Sequence, residues 1–160
     1  MNDRPLAVID LDGVVADVRH RLHHVSGRRR DWDAFFDGIG DDPVLPEGRA
    51  VVDRLAVDHE IVYLTGRPER TRAQTDEWLA RHQLPHGRVI MRPEDDRRPA
   101  RMLKPRLLRS LAAGRQVGVV VDDDAAVCAE LERSGWTVLR AEWMGGAPTL
   151  QRAQESDGAT

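Results

Sequence analysis

The chain has 160 residues, 41% apolar and 32% charged, with a net charge of −3. That suffices for one domain with one core, and no apolar run approaches the ~18 residues that span a bilayer. The single cysteine, Cys128, excludes an internal disulfide and a cysteine zinc site. Asp3, Asp10 and Asp12 break up any leader-like segment, so the expectation is a reduced, cytoplasmic protein with no membrane contact.

In chain order, short apolar runs alternate with helical patterns. Leu6–Asp10 reads as a buried strand. Asp17–Pro46 is a polar, arginine-rich insert with one short amphipathic candidate, Asp31–Asp37, carrying Trp32, Phe35 and Phe36. A helix over Glu47–Val57 follows Pro46. Then come a strand over Ile61–Thr65, a helix over Glu69–His82, a strand over Arg88–Met91 and a helix over Pro105–Ala113. A strand over Val117–Asp122 leads into a helix capped by Asp124 and stopped by Gly135. A strand over Thr137–Leu139 is the last. From Gly145 the residues read as a weakly ordered tail. The alternation predicts an α/β fold: a Rossmann-like open parallel five-stranded sheet flanked by helices, with right-handed crossovers. The expected organisation is one domain over 1–144, a short insert at 17–46 and a flexible tail at 145–160.

In an open parallel sheet, ligands bind beyond the C-terminal ends of the strands. Those ends carry Asp10-Leu11-Asp12-Gly13, Thr65-Gly66-Arg67, Arg92 and Asp122-Asp123-Asp124. Carboxylates gathered at one point repel each other. A hard divalent cation relieves the repulsion, and Mg²⁺ suits one or two carboxylates with phosphate oxygens. The chemistry such a set supports is phosphoryl transfer through an aspartyl-phosphate. Asp10 and Asp12, two residues apart on an extended chain, face one side, so one can attack while the other moves protons. Thr65 and the Gly66 N–H can donate to a phosphate oxygen.

Lys104 is the only lysine beside 23 arginines. From Arg67 to Arg115 there are 13 basic and 6 acidic residues, a local excess that suits an anionic ligand. An ammonium is a compact point charge, whereas a guanidinium is a broad fork. Lys104 is therefore expected at a helix start, before Pro105, reaching into the site as a cation.

These residues resemble the four motifs of the haloacid dehalogenase-like (HAD) phosphohydrolase superfamily, in order: Asp10–Val14, Leu64–Arg67, Lys104 and Val121–Asp123. The likeness is nearer to the 3′-phosphatase domain of bacteriophage-type polynucleotide kinase-phosphatase, through Thr65-Gly66-Arg67, Arg21, Arg92 and the stretch DDRRPARMLKPRLL. One position departs, Ala100, where that group carries an acidic residue. No P-loop is present, so no kinase is expected.

The resemblance implies that Asp10 is the nucleophile and Asp12 the general acid/base. It implies Mg²⁺ held by Asp10, Asp12 (through its carbonyl), Asp122 and Asp123. Thr65, Gly66, Arg67 and Lys104 would bind the phosphate, with Arg21 and Arg92 as further substrate contacts. Neither usual insertion point is long enough for a full cap domain. The implied activity is removal of 3′-terminal phosphates from DNA or RNA ends, with a separate kinase or ligase as a partner. The alternative is a small-molecule HAD phosphatase such as a nucleotidase. Trp32, Phe35, Phe36 and Trp143 are the candidates for base stacking.

Overall fold

A computed structural model describes residues 3–160; Met1 and Asn2, the first residues of the expected 1–144 domain, lie outside the described residues. Five strands form one sheet, all parallel, in the order β3-β2-β1-β4-β5. They are β1 (Leu6–Ile9), β2 (Glu60–Pro68), β3 (Arg88–Arg92), β4 (Val117–Asp122) and β5 (Val138–Arg140). The helices are α1 (Trp32–Asp37), α2 (Pro46–Leu55), α3 (Arg72–Arg81), α4 (Ala100–Ala112), α5 (Ala125–Arg133) and α6 (Pro148–Asp157). The expected sheet is present, and strand order reverses at β1, which lies between β2 and β4. A crevice opens at such a switch point.

The alternation along β1 sorts its side chains between two cores. Ala7 and Ile9 join Val52 of α2 and Trp78 of α3 on one face. Leu6 and Val8 join Leu108 of α4 and Val127 and Leu131 of α5 on the other. A third cluster departs from expectation. The insert contributes Val18, Val25, Phe35, Phe36 and Ile39, and the segment after β5 contributes Met144, Ala147, Leu150 and Ala153. The stretch expected as a flexible tail thus contains α6, with Leu150, Ala153 and Gln154 buried. Each segment alone has too few apolar residues to form a core; together they cover one another.

Two further differences have local causes. Helix α4 starts at Ala100, five residues before Pro105. Proline lacks an N–H, which costs a helix one bond to the residue four before it, and α4 accepts that loss at the Arg101 carbonyl. Lys104 is therefore in the second turn, not at the helix start. On β2, Leu64 pairs with Ile90 and Pro68 with Arg92. Four steps on β2 match two on β3, so Thr65–Arg67 bulge out of the ladder toward the crevice, as bulges near sites do. Among the described residues no helix is long and apolar enough to cross a membrane.

Candidate active site

Asp10 follows β1 directly, and its N–H donates to the Val121 carbonyl at 2.9 Å. That bond sets it beside Asp122, the last residue of β4. Lys104 Nζ lies 2.6 Å from Asp122 Oδ2 and 3.0 Å from Asp10 Oδ1, its side chain 6% exposed. Helix α4 thus inserts its one ammonium between two strand ends. Burial opposes that charge, but Asp10 and Asp122 overcome the penalty and hold Lys104 protonated above the usual lysine range.

The carboxylates remain in excess. Asp10, Asp122 and Asp123 bring one oxygen each within 4.8 Å of one another. Burial, then the charge of Asp122, push Asp10 up to about 7 although Lys104 pulls the other way. Burial, then Asp10 and Asp122, raise Asp123 well above the usual range. Carboxylates that resist ionisation for want of counter-charge are the donor set a hard divalent cation fits. Gly13 makes this closeness feasible. It sits at φ +82°, and a Cβ there would lie 2.0 Å from Asp123 Oδ2. Of the three consecutive aspartates Asp122–Asp124, the last caps α5, accepting from Ala126 N at 2.9 Å.

Asp12 turns to a different set of partners. Its Oδ1 accepts from Arg67 Nη2 at 2.5 Å, Arg67 Nε at 3.0 Å and Arg21 Nη2 at 3.1 Å. Burial alone would raise its pKa, but Arg67 and then Arg21 outweigh it and hold the carboxyl below the usual range. Both arginines share a second acid, Asp42, which is 2% exposed. Arg21 donates to it at 2.7 and 2.8 Å and Arg67 at 3.2 Å. Asp42 does not stand out in the sequence; the available signal is that two buried guanidiniums need more than one acid between them.

Asp10, Asp12, Thr65, Gly66, Lys104 and Asp123 line one cleft. Arg21 and Arg67 stand behind Asp12, fully buried. Arg92, expected as a substrate contact, lies beneath the β2 bulge. It donates to the carbonyls of Gly66 (3.0 Å), Asp96 (3.0 Å), Arg98 (2.7 Å) and Thr160 (3.0 Å). So placed, it acts as a tie between loops. Arg92→Ala is expected to lower stability by about 3 kcal/mol, since it orphans the buried Gly66 and Thr160 carbonyls and two half-buried ones. Urea denaturation measures this; lost activity at unchanged stability would return Arg92 to the substrate. The aromatic candidates are also committed elsewhere. Phe35 and Phe36 are buried, Phe35 beneath the Arg21 guanidinium at 4.1 Å, and Trp32 Nε1 donates to Asp157.

A family model described as the polynucleotide kinase PNKP phosphatase domain matches residues 5–143. Among solved structures, the chain is similar to one in the Pnkp1/Rnl/Hen1 RNA repair complex, with a TM-score of 0.69 and 20% identity. That match covers 88% of this chain and 43% of the other, so the chain spans less than half of that relative's length. It is similar to a haloacid dehalogenase-like hydrolase from Streptococcus pneumoniae, with a TM-score of 0.63, 14% identity and coverage of 96% and 92%. It is also similar to a class C acid phosphatase from Bacillus anthracis, with a TM-score of 0.60, 16% identity and coverage of 84% and 63%. At these identities the structures establish a shared fold. No curated protein matches the sequence.

Proposed function

We propose that this chain, which belongs to the PNKP phosphatase domain family of HAD-like phosphatases, removes 3′-terminal phosphates from nucleic-acid ends. One observation carries the reading. The family match spans the residues that meet in one cleft, from Asp10 through Lys104 to Asp123.

Asp10 attacks the phosphorus and forms an aspartyl-phosphate, so one displacement becomes two. Asp12 protonates the leaving oxygen and then takes a proton from the water that hydrolyses the intermediate. The two arginines keep Asp12 ionised but weaken it as a base, so both roles need the Arg21–Arg67 clamp to shift toward the phosphate. Lys104 holds a phosphoryl oxygen beside Asp10, and Thr65 and the Gly66 N–H meet another. Mg²⁺ fits Asp10, the Asp12 carbonyl, Asp122 and Asp123, and when bound it would neutralise carboxylate and phosphate charge. Exposed Arg97 and Arg106, around a surface depression past β3, suit contacts to flanking phosphodiesters. A strand with a 3′-phosphate would come from end-damaging cleavage, and a kinase or ligase would use the product. Cys128, buried as a thiol, suits a reducing cytoplasm.

The test is phosphate release from oligonucleotides bearing 3′-phosphate, 5′-phosphate or neither, with Mg²⁺ or EDTA. Mg²⁺-dependent release from the 3′ end is the expected result, and none from any oligonucleotide would sink the reading. A second reading, a small-ester phosphatase, is favoured by the small size of the cleft. Equal rates on free mononucleotides and on 3′-phosphorylated strands would favour it.

A further inference from the structure

The cleft has a roof. Ala147, Leu150, Gln151 and Gln154 line it opposite the catalytic carboxylates, together with Thr160. The enclosed space is about 40 Å³, room for roughly three water molecules. Neither usual insertion point supplies this roof; it comes from the segment after β5.

The segment is fastened at discrete points. Gln154 Oε1 accepts from Ala100 N at 2.9 Å, and its Nε2 donates to Asp124 Oδ2 at 3.2 Å. Gln154 so bridges the first turn of α4 and the cap of α5, and the small side chain of Ala100 leaves it space. Arg101 pairs with Glu155 at 2.7 Å, and Arg30 with Asp157 at 2.8 Å. Gly158 turns at φ +59°, where a Cβ would lie 1.7 Å from the Arg97 carbonyl oxygen. That turn delivers Thr160 onto the β2 bulge. Its carbonyl carbon would stand 2.4 Å from a Cβ on Gly66, and its oxygen takes a bond from Arg92. Thr160 thus lies against Gly66, in the cleft that Thr65 and Gly66 line.

We propose that residues 148–160 are a strap that determines which phosphate esters reach Asp10: an ester enters only by displacing Thr160 and unlatching Gln154. This rests on the reading that the phosphate lies between Gly66 and Lys104. Its polar contacts are few, and its apolar packing is confined to Leu150 and Ala153 against the insert. The two-glycine joint Gly145-Gly146 links the strap to the segment that follows β5. Only the fraction of molecules with the strap open binds substrate, so apparent affinity is reduced by that fraction.

Gly158→Val dislodges the turn by collision with Arg97, and Gln154→Ala removes the latch; neither residue bonds to Asp10, Asp12, Asp122, Asp123 or Lys104. With p-nitrophenyl phosphate and Mg²⁺, kcat/KM is expected to rise about fivefold or more in each. Folded variants, judged by circular dichroism and melting, with unchanged or lower kcat/KM overturn the strap. If the variants do not fold, the wild type decides: saturating Mg²⁺ and inorganic phosphate should speed amide exchange across 148–160, and unchanged or slower exchange overturns it. The probe carries no nucleotide, so the oligonucleotide assay judges the 3′-end reading separately. Faster p-nitrophenyl phosphate turnover without release from 3′ ends keeps the strap and discards that reading.

Discussion

Asp10→Asn is expected to abolish turnover, by on the order of 10⁴-fold, while leaving the fold as stable or more so. The catalytic part follows from position. Asp10 stands beside Lys104 at the end of the central strand, and an amide in its place has no charge with which to attack phosphorus. The stability part follows from burial. Asp10 is pushed up to about 7, first by burial and then by Asp122. A folded-state value above the ordinary carboxylate range means that ionised Asp10 opposes folding, and that stability is lost as pH rises through about 7. At pH 8 with EDTA the neutral amide removes this cost, and Lys104 keeps Asp122 at 2.6 Å. Steady-state phosphate release and thermal melting in EDTA measure the two parts. A surviving rate would mean that a different residue is the nucleophile, and a lower melting point would refute the burial argument.

Lys104→Arg is expected to cost nearly as much activity as Lys104→Ala, about 10²–10³-fold each. The ammonium bridges two carboxylates at 2.6 and 3.0 Å, beside a cavity of about 40 Å³. A planar fork needs a broader slot than a point charge. The two variants should part in stability: Lys104→Ala leaves buried carboxylates without their cation, at about 3–5 kcal/mol, whereas the arginine keeps a positive charge nearby. Turnover near wild type in the arginine variant would show that the lone lysine is an accident of composition.

Much of the fold and the site is legible in the sequence because it depends on local chemistry. Valine- and isoleucine-rich runs mark the strands, and the aspartates after β1 and at the end of β4 mark the edge of the sheet that carries the site. The family's four motifs contribute Asp10, Asp12, Thr65, Gly66, Lys104 and Asp123 to the cleft, with Asp122 beside them. Asp124 is readable as a cap, because an acid before a helix meets free N–H groups. What cannot be read depends on contacts between distant segments. Arg92 has the right spacing for a substrate contact, yet the carbonyls it finds belong to loops whose approach no spacing reveals. Asp42 is one acid among several in a polar insert until Arg21 and Arg67 arrive on it. Helix α6 has a sparse apolar face, too weak to stand out, and it is ordered by the insert rather than by its own propensity.

The apolar cluster shared by the insert and α6 has a consequence for how the molecule opens. Arg30 and Trp32 meet Asp157 across 127 and 125 residues of chain. Contacts that close loops of this length carry a high entropic cost and form late. They are also candidates to break first as a cooperative group, below the threshold for global unfolding. Arg21, which holds Asp12, belongs to the same insert. If the 148–160 strap opens, loosening of this cluster and of the guanidinium grip on Asp12 are expected together, as two readouts of a single sub-global transition.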